Sequence, residues 1–573
     1  MKVTEALLRQ LKDLGVEHVF GLPGETTLAL YREWERFPEV RHHLCRDERS
    51  SVFMADGYAK ASGKVGVCEG PSVGATHMVP GVTEAFHACV PLVVLTSEIP
   101  LRYERRNMLT GCDQTALFQG ITKATLTATA SEEVPHLVRL AFRTAVTGRP
   151  GPVHLRLPSD VLEGECPDRE AWADPRYGRF PGCRSVAAPE DLSAAAEALR
   201  GARRPVLFCG QGVVHSGAWA EVRALAERLS APVGTTINAK GAFPETHPLS
   251  LGVLGARGGR SWANEALAEA DLVFFLGNST DSAGTDGWRL PDPNSGKTFL
   301  QLDVSGEGLG LNYPVLPLLG DARETLRGLL EVLGREVAPD RSPWLEKLAG
   351  GREAHEERVV RALAERRELH PLHVARILEE VLPEDAFLAV DPGVAAAYSA
   401  AFLRLSSAGR RTAYNFAMGA LGYALPAALG ARWGVVSGAP VVGLVGDGSF
   451  GFAAGELETA ARWGARVVFL VFDNRTYGWI RGTERVIRGS ELGEGYGRFT
   501  DFAPVDYPAV AKGFGVAGFE ATTPQVFREV LSRALALDGP SLISLPCVPE
   551  DRDLPPVPGW CAEALRAGMD CLY

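Results

Sequence analysis

The sequence has no pair of cysteines at Cys-x-x-Cys spacing. Its ten cysteines, from Cys45 to Cys571, are scattered through 573 residues. This excludes a zinc ribbon or a thioredoxin-type redox motif as the organising feature, and the thiols are read as mostly reduced. No apolar run reaches the roughly 18 residues of a membrane span. No secretory leader opens the chain either, since Met1 runs straight into the amphipathic stretch Val3–Leu14. We therefore expect a soluble, cytoplasmic protein with no membrane partner. Basic excess is also missing: 59 basic residues face 70 acidic ones, a formal charge of −11. Nucleic acid and anionic membranes find no electrostatic footprint on such a surface, although a local basic pocket for a phosphate remains open. Hydrophobic and charged fractions of 46% and 23% lie near the globular average, which excludes disordered, collagen-like and coiled-coil chains.

What the sequence does have is glycine and alternation. Glycine fills 63 of the 573 positions, above the usual ~7%, and such an excess marks tight turns and close approaches to ligands. Short apolar runs such as "VPLVVLTSE", "RPVLFCG", "ADLVFFLG", "PVVGLVGDG" and "RVVFLVFDN" alternate with segments of helical period. Flanked by Gly or Pro, these runs read as buried parallel strands. The repetition predicts an α/β protein with doubly wound, mainly parallel sheets.

Two aperiodic stretches, 163–190 and 334–354, are rich in Pro, Gly and charge and read as connectors, the second with helical parts. They divide the chain into domains of about 1–162, 188–333 and 368–548, with a tail at 549–573.

The densest chemistry lies in the third domain. The strand "PVVGLV" runs into Gly446-Asp447-Gly448-Ser449, a helical segment follows over roughly Ala453–Trp463, and the strand "RVVFLVF" runs into Asp473-Asn474-Arg475-Thr476. Asp447 and Asn474 lie 27 positions apart, one strand–helix–strand repeat, so both reach the carboxyl edge where open α/β sheets bind ligands. A carboxylate, an amide oxygen and a backbone carbonyl suit Mg²⁺ held together with a phosphate ligand. Gly446 and Gly448 let backbone approach that phosphate. Gly-Asp-Gly alone is an ordinary turn; the second half, at this spacing, turns it into a metal–diphosphate signal.

This pair resembles the thiamine diphosphate signature. The segments "RDERSSVFMADGYAKASGK", "VTGRPGPVHLRLPSD", "GAFPETHPLSLGVLG", "GALGYALPAALGA" and "GDGSFGFAAGELETA" resemble, in order, the acetolactate synthase branch of the thiamine diphosphate-dependent 2-oxo acid decarboxylase family. The resemblance implies three domains: pyrimidine-binding, central and diphosphate-binding. It implies an enzyme that decarboxylates a 2-oxo acid and ligates the enamine to a second carbonyl acceptor; a decarboxylase or C–C lyase with a substrate other than pyruvate is the alternative.

The resemblance also assigns residues. Glu48 would contact N1′ of the aminopyrimidine, although locally it is only a first-turn acid behind the helix-capping Asp47. Leu421 matches the apolar wedge that bends the cofactor. The implied cofactor-binding set is Gly393, Val394, Gly419, Leu421, Gly446, Asp447, Gly448, Ser449, Asn474, Thr476, Tyr477 and Gly478. Asp447, Asn474 and the carbonyl of Thr476 would hold Mg²⁺. Gln114 matches a Gln near the reaction centre, but the family's Phe before it is Asp113 here and the Glu after it is Thr115. Ser72 and His77, in a departing segment "EGPSVGATH", could face substrate. His42 and His43 lie in a strand pattern and point to opposite faces.

The family's FAD-binding stretch corresponds to Leu276–Gly284, "LGNSTDSAG", which has neither of the expected arginines, and its Asp-Ile-Asp becomes Asp303-Val304-Ser305. We expect no FAD. A non-catalytic regulatory homologue conflicts with the retention of Glu48, Asp447 and Asn474. A nicotinamide or flavin oxidoreductase lacks its full Gly-x-Gly-x-x-Gly; Gly210-Gln211-Gly212 is only a fragment. The family architecture implies a homodimer or homotetramer in which the Glu48 domain of one subunit completes the site on another.

Overall fold

A computed structural model describes residues 1–334, 339–489, 492–566 and 571–572. Among these residues the chain forms three six-stranded sheets, and every strand pairing within them is parallel. Helices fill the crossovers, as parallel pairing requires.

The first sheet holds β1 (His18–Gly21), β2 (Arg41–Leu44), β3 (Gly66–Gly70), β4 (Leu92–Glu98), β5 (Ala124–Thr127) and β6 (Val153–Pro158), in the order β2-β1-β3-β4-β6-β5. The second holds β7 (Pro205–Cys209), β8 (Val233–Thr235), β9 (Ser250–Val253), β10 (Leu272–Leu276), β11 (Thr298–Asp303) and β12 (Val315–Leu319), in the order β12-β11-β10-β7-β8-β9. The third holds β13 (Phe387–Val390), β14 (Thr412–Tyr414), β15 (Val441–Gly446), β16 (Val467–Asp473), β17 (Ala517–Glu520) and β18 (Ser541–Pro546), in the order β14-β13-β15-β16-β18-β17. The inner strands are continuous apolar runs because helices cover both faces; β4, β7, β10 and β16 are buried along their whole length. The fold is α/β and doubly wound throughout.

The first and third domains pack on each other through the helices Glu48–Ser62 and Ala424–Gly434. Glycines permit the close crossing: a Cβ on Gly57 would lie 2.1 Å from the carbonyl oxygen of Ala427, and one on Gly430 1.9 Å from that of Met54. One apolar core runs from Val3 through Val52 and Leu155 to Leu429 and Leu542.

Three local readings differ from the structure. The segment after Gly-Asp-Gly is a short helical turn, Asp447–Phe450, followed by a helix over Glu456–Arg462. Gly455 delays the start of the helix that the pattern reads from Ala453. The stretch read as the second connector is mostly the long helix Ser342–Glu365; its start, 335–338, lies outside the described residues. Cys561 and Cys571, ten positions apart, are joined as a disulfide beside the tail helix Pro558–Arg566, whereas the other eight cysteines are free. His42 and His43 do take opposite faces of β2: His42 meets Tyr31 and Glu69, while His43 meets His18.

Candidate active site

The strand order of the third sheet reverses between β13 and β15, which pair in parallel, and a cavity of about 500 Å³ opens there. Such a switch point is where doubly wound sheets take ligands. Three loops leave the sheet at this edge. The loop after β13 brings Gly393 and Val394, the loop after β15 brings Gly446 to Ser449, and the loop after β16 brings Asn474, Thr476, Tyr477 and Gly478. The segment 415–421, after β14, adds Gly419 and Leu421. All twelve residues of the expected cofactor set line this one cavity.

Local chemistry holds them in place. Both oxygens of Asp447 accept backbone N–H bonds, from Gly448 at 2.7 Å and from Arg475 at 2.6 Å. Asn474 accepts from the Thr476 N–H at 3.1 Å. Gly393 and Gly419 take left-handed φ angles of 93° and 76°, and a Cβ on either would meet nothing within 4 Å. The space beside their Cα atoms is thus left open toward the cavity, which suits close approach by a ligand. Gly422 donates to Ser449 Oγ at 2.7 Å, tying the loop after β14 to the loop after β15.

Two carboxyl groups, Asp447 and Glu550, line the cavity, and a third, Asp391, is fully buried next to its lining residue Pro392. Burial pushes Asp447 up to about 7, against the pull of its two N–H donors. Burial pushes Asp391 up to about 6, although Ala424 N–H donates to it at 2.9 Å. Glu550 rises to about 8, first through burial and then through the proximity of Asp447. Carboxylates held this way favour a cation or a proton beside them. Asp447, the Asn474 amide oxygen and the Thr476 carbonyl are hard oxygen donors of the kind that suits a divalent cation such as Mg²⁺.

Glu550 is a residue the motif search missed. It reaches in from the tail and accepts from Asn474 Nδ2 at 2.7 Å, fixing which face of that amide turns to the cavity. It sits four positions past the end of β18, at the same carboxyl edge as Asp447, and that placement was the available signal. Glu84 is the second omission. It is buried on a helix of the first domain, and its carboxylate accepts from three successive backbone N–H groups: Ala417 at 3.1 Å, Met418 at 2.7 Å and Gly419 at 3.0 Å. It thereby anchors the loop that carries Gly419 and Leu421. Its only sequence signal was an acid among apolar neighbours in "GVTEAFHACV". Arg257, from the central domain, also lines the cavity.

Glu48 and Gln114 lie apart from this cavity, at the corresponding edge of the first sheet. Asp47 caps the helix, accepting from Arg49 N–H at 2.7 Å. Glu48 is buried at the first turn, and its Oε2 lies 3.0 Å from Nδ1 of the exposed His77. Gly74 leaves room for it, since a Cβ there would come within 2.4 Å of Glu48 Oε1. Gln114 is fully buried; it donates to the Ser97 carbonyl at 2.9 Å and accepts from Thr96 Oγ1. Ser72 is buried as well and donates to Glu98 and to the Thr110 carbonyl.

Three sequence-family models match the chain in order. They are described as the N-terminal TPP binding domain, the central domain and the C-terminal TPP binding domain of thiamine pyrophosphate enzymes, and they cover residues 1–117, 192–329 and 391–545. The chain belongs to the thiamine pyrophosphate enzyme family. This thiamine pyrophosphate enzyme is similar to the "probable acetolactate synthase large subunit" of Methanocaldococcus jannaschii, with 32% identity over 97% of this chain and 94% of that protein. It is also similar to the "probable 2-ketoarginine decarboxylase" of Pseudomonas aeruginosa, with 38% identity over 83% of each. The acetolactate synthase isozyme 3 large subunit of Escherichia coli is 28% identical over 93% of this chain and 92% of that protein. The protein is a thiamine diphosphate-dependent, acetolactate synthase-like enzyme. No helix among its described residues is long and apolar enough to cross a membrane.

Proposed function

We propose that the protein decarboxylates a 2-oxo acid with thiamine diphosphate and Mg²⁺, and ligates the product to a second carbonyl acceptor. The observation that carries this is the convergence of the twelve expected residues on one switch-point cavity with Asp447 and Asn474 at adjacent strand ends. Asp447, Asn474 and the Thr476 carbonyl would hold Mg²⁺, and the open backbone at Gly393 and Gly446, with Gly448 beside them, would take the diphosphate. Bound thiamine diphosphate supplies the carbanion chemistry that decarboxylation needs. Glu48 exchanges a proton with N1′ of the aminopyrimidine. Leu421 sets the cofactor's bend, and Glu84 keeps the Leu421 loop in register. Gln114 braces the turn after β4 beside the reaction centre.

In this reading Glu48 of one subunit serves the cavity of another, within a cytoplasmic homodimer or homotetramer. No flavin takes part. The matching crevice of the central domain measures about 90 Å³, small beside the roughly 300–1,000 Å³ of ordinary ligand pockets.

A second reading is a decarboxylase or C–C lyase acting on a 2-oxo acid other than pyruvate. Asp113, in place of the expected Phe, favours it, as does the 38% identity to a protein named for 2-ketoarginine decarboxylation. Incubation with a panel of 2-oxo acids, thiamine diphosphate and Mg²⁺, with products identified by mass spectrometry, separates the two. A 2-hydroxy-3-oxo acid supports ligation, and an aldehyde supports the second reading. Turnover of no 2-oxo acid overturns both. Glu48→Gln should abolish turnover while thiamine diphosphate stays bound, and full activity in that variant would refute the role of Glu48.

A further inference from the structure

A second cavity, of about 190 Å³, lies where the central domain meets the third. Glu245, Ser250 and Arg260 form one wall. Arg352 and His355 of the helix Ser342–Glu365, Arg376, and the end of the helix Val394–Phe402 form the other. At ~30 Å³ per water this is room for roughly six waters, or for one small polar ligand.

Charge around it is unbalanced. Lys240 pairs with Glu245 at 2.6 Å, Arg376 with Glu356 at 2.5 Å, and Arg404 with Glu379 at 2.5 Å. That uses every carboxylate of the cluster. Arg260 and Arg352 have carbonyl partners in place of carboxylates: Arg260 donates to Leu251 at 2.6 Å and to Ala401 at 3.2 Å and lies over the Trp262 ring at 5.4 Å, and Arg352 donates to Pro248 at 3.1 Å. Among the described residues, two positive charges therefore face the cavity with no carboxylate at ion-pair distance, although Glu245 and Glu356 act on Arg260 from farther off.

The donors are also in surplus. His355 is 6% exposed, and neither of its ring nitrogens has a hydrogen-bond partner. Its ring lies parallel to that of Phe402, with a 2° interplanar angle, so its orientation is fixed. The Nε atoms of Arg260 and Arg376 are buried without partners too. Buried donors of this kind are nearly always satisfied in native proteins, and an imidazole always carries at least one N–H to give.

We propose that this cavity binds a small dianion, held as an oxyanion by Arg260, Arg352 and an N–H of His355. Inorganic phosphate and a short dicarboxylate share that chemistry, and both fit the volume. The site shares two segments with the cofactor cavity. The helix Val394–Phe402 begins beside Gly393 in the first cavity and ends in the second. The loop between Arg257 and Arg260 likewise has one arginine in each, and it is packed so tightly that a Cβ on Gly258 would lie 2.4 Å from that of Ala400. An occupant would therefore press on two elements that also shape the cofactor site. The assignment does not depend on which reaction that site runs.

Calorimetry on the full chain saturated with thiamine diphosphate and Mg²⁺ tests this, because the diphosphate cavity is then filled. Sodium phosphate and sodium succinate are titrated separately, with sodium chloride at matched ionic strength as the control. We expect saturable binding of at least one probe at one site per chain. Which probe binds tells phosphate from dicarboxylate. Arg352→Gln and His355→Phe should each weaken binding at least tenfold while leaving thiamine diphosphate affinity unchanged; the Phe preserves the ring stack, and Arg352 is partly exposed. No saturable heat with either probe overturns the proposal, as does binding retained within twofold in either variant.

Discussion

The central and third domains are built on the same doubly wound plan, yet their carboxyl edges meet opposite fates. In the third domain, Gly393 after β13 and Gly446 at the end of β15 leave backbone open beside a cavity of about 500 Å³. In the central domain, the glycines after β7 and β10 turn on each other. Gly212 donates to the Gly277 carbonyl at 2.9 Å, and a Cβ on Gly210 would lie 2.3 Å from that same oxygen. The crevice left between them is about 90 Å³. Glycine permits close approach in both places. In one the backbone approaches open space built for a ligand, and in the other it approaches more backbone. A Gly-rich strand end therefore does not announce a ligand by itself; the polar groups set around it decide.

The contrast can be broken at its strongest point first. Asp447→Ala should remove Mg²⁺-dependent thiamine diphosphate binding, a loss beyond the roughly ten- to hundredfold typical of outer-sphere partners. Calorimetry returning wild-type affinity would end the ligand assignment. Paired alanine substitutions sharpen the comparison. Gly210→Ala should destabilise the fold by about 1–3 kcal/mol through overpacking and leave cofactor affinity alone. Gly393→Ala should cost about 1–3 kcal/mol, because its φ of 93° with ψ of −147° is a conformation nearly confined to glycine, with a clear fall in cofactor affinity. Denaturant melts and cofactor titrations on both variants check this, and the reverse pattern would refute it.

The smallest effect concerns pH. His215 lines the central crevice; burial first, then Arg410, lowers its pKa to about 3. It is neutral in the fold but takes a proton in the unfolded chain below about 6.5. Its contribution to stability is complete above that pH and is lost as pH falls toward 3. At pH 5 the loss is about 2 kcal/mol. His215→Leu should flatten the acid limb of stability against pH by up to one proton, whereas the slope near pH 8 should not change. A variant as acid-sensitive as the wild type would contradict this.

These contrasts mark how far sequence carries. Asp447 and Asn474 were legible because one strand–helix–strand repeat separates them, so local periodicity alone brings them to one edge. The strands were legible because helices on both faces turn each into an unbroken apolar run. Glu84 and Glu550 were not, because long-range packing places them: Glu84 comes from another domain to hold the 417–419 loop, and Glu550 comes from the tail to line the cavity. No local pattern encodes the Arg260–His355 juxtaposition either. The helix over Ser342–Glu365 was hidden by Gly350 and Gly351, which lower local helix propensity, while packing of Trp344, Leu348 and Val359 outweighs that loss.

The glycine crossing of the helices Glu48–Ser62 and Ala424–Gly434 has a consequence for how the molecule comes apart. The first and third sheets draw on one apolar core, whereas the central domain keeps two cores apart from them and adds only Ile237 and Val253 to the second core of the third domain. Counted by sheets the chain is three bodies; counted by cooperative units it is two. A nick in the connector at 163–190 would leave the first domain clasped to the third. Melting should proceed with the outer pair as one block, however far apart its halves lie along the chain.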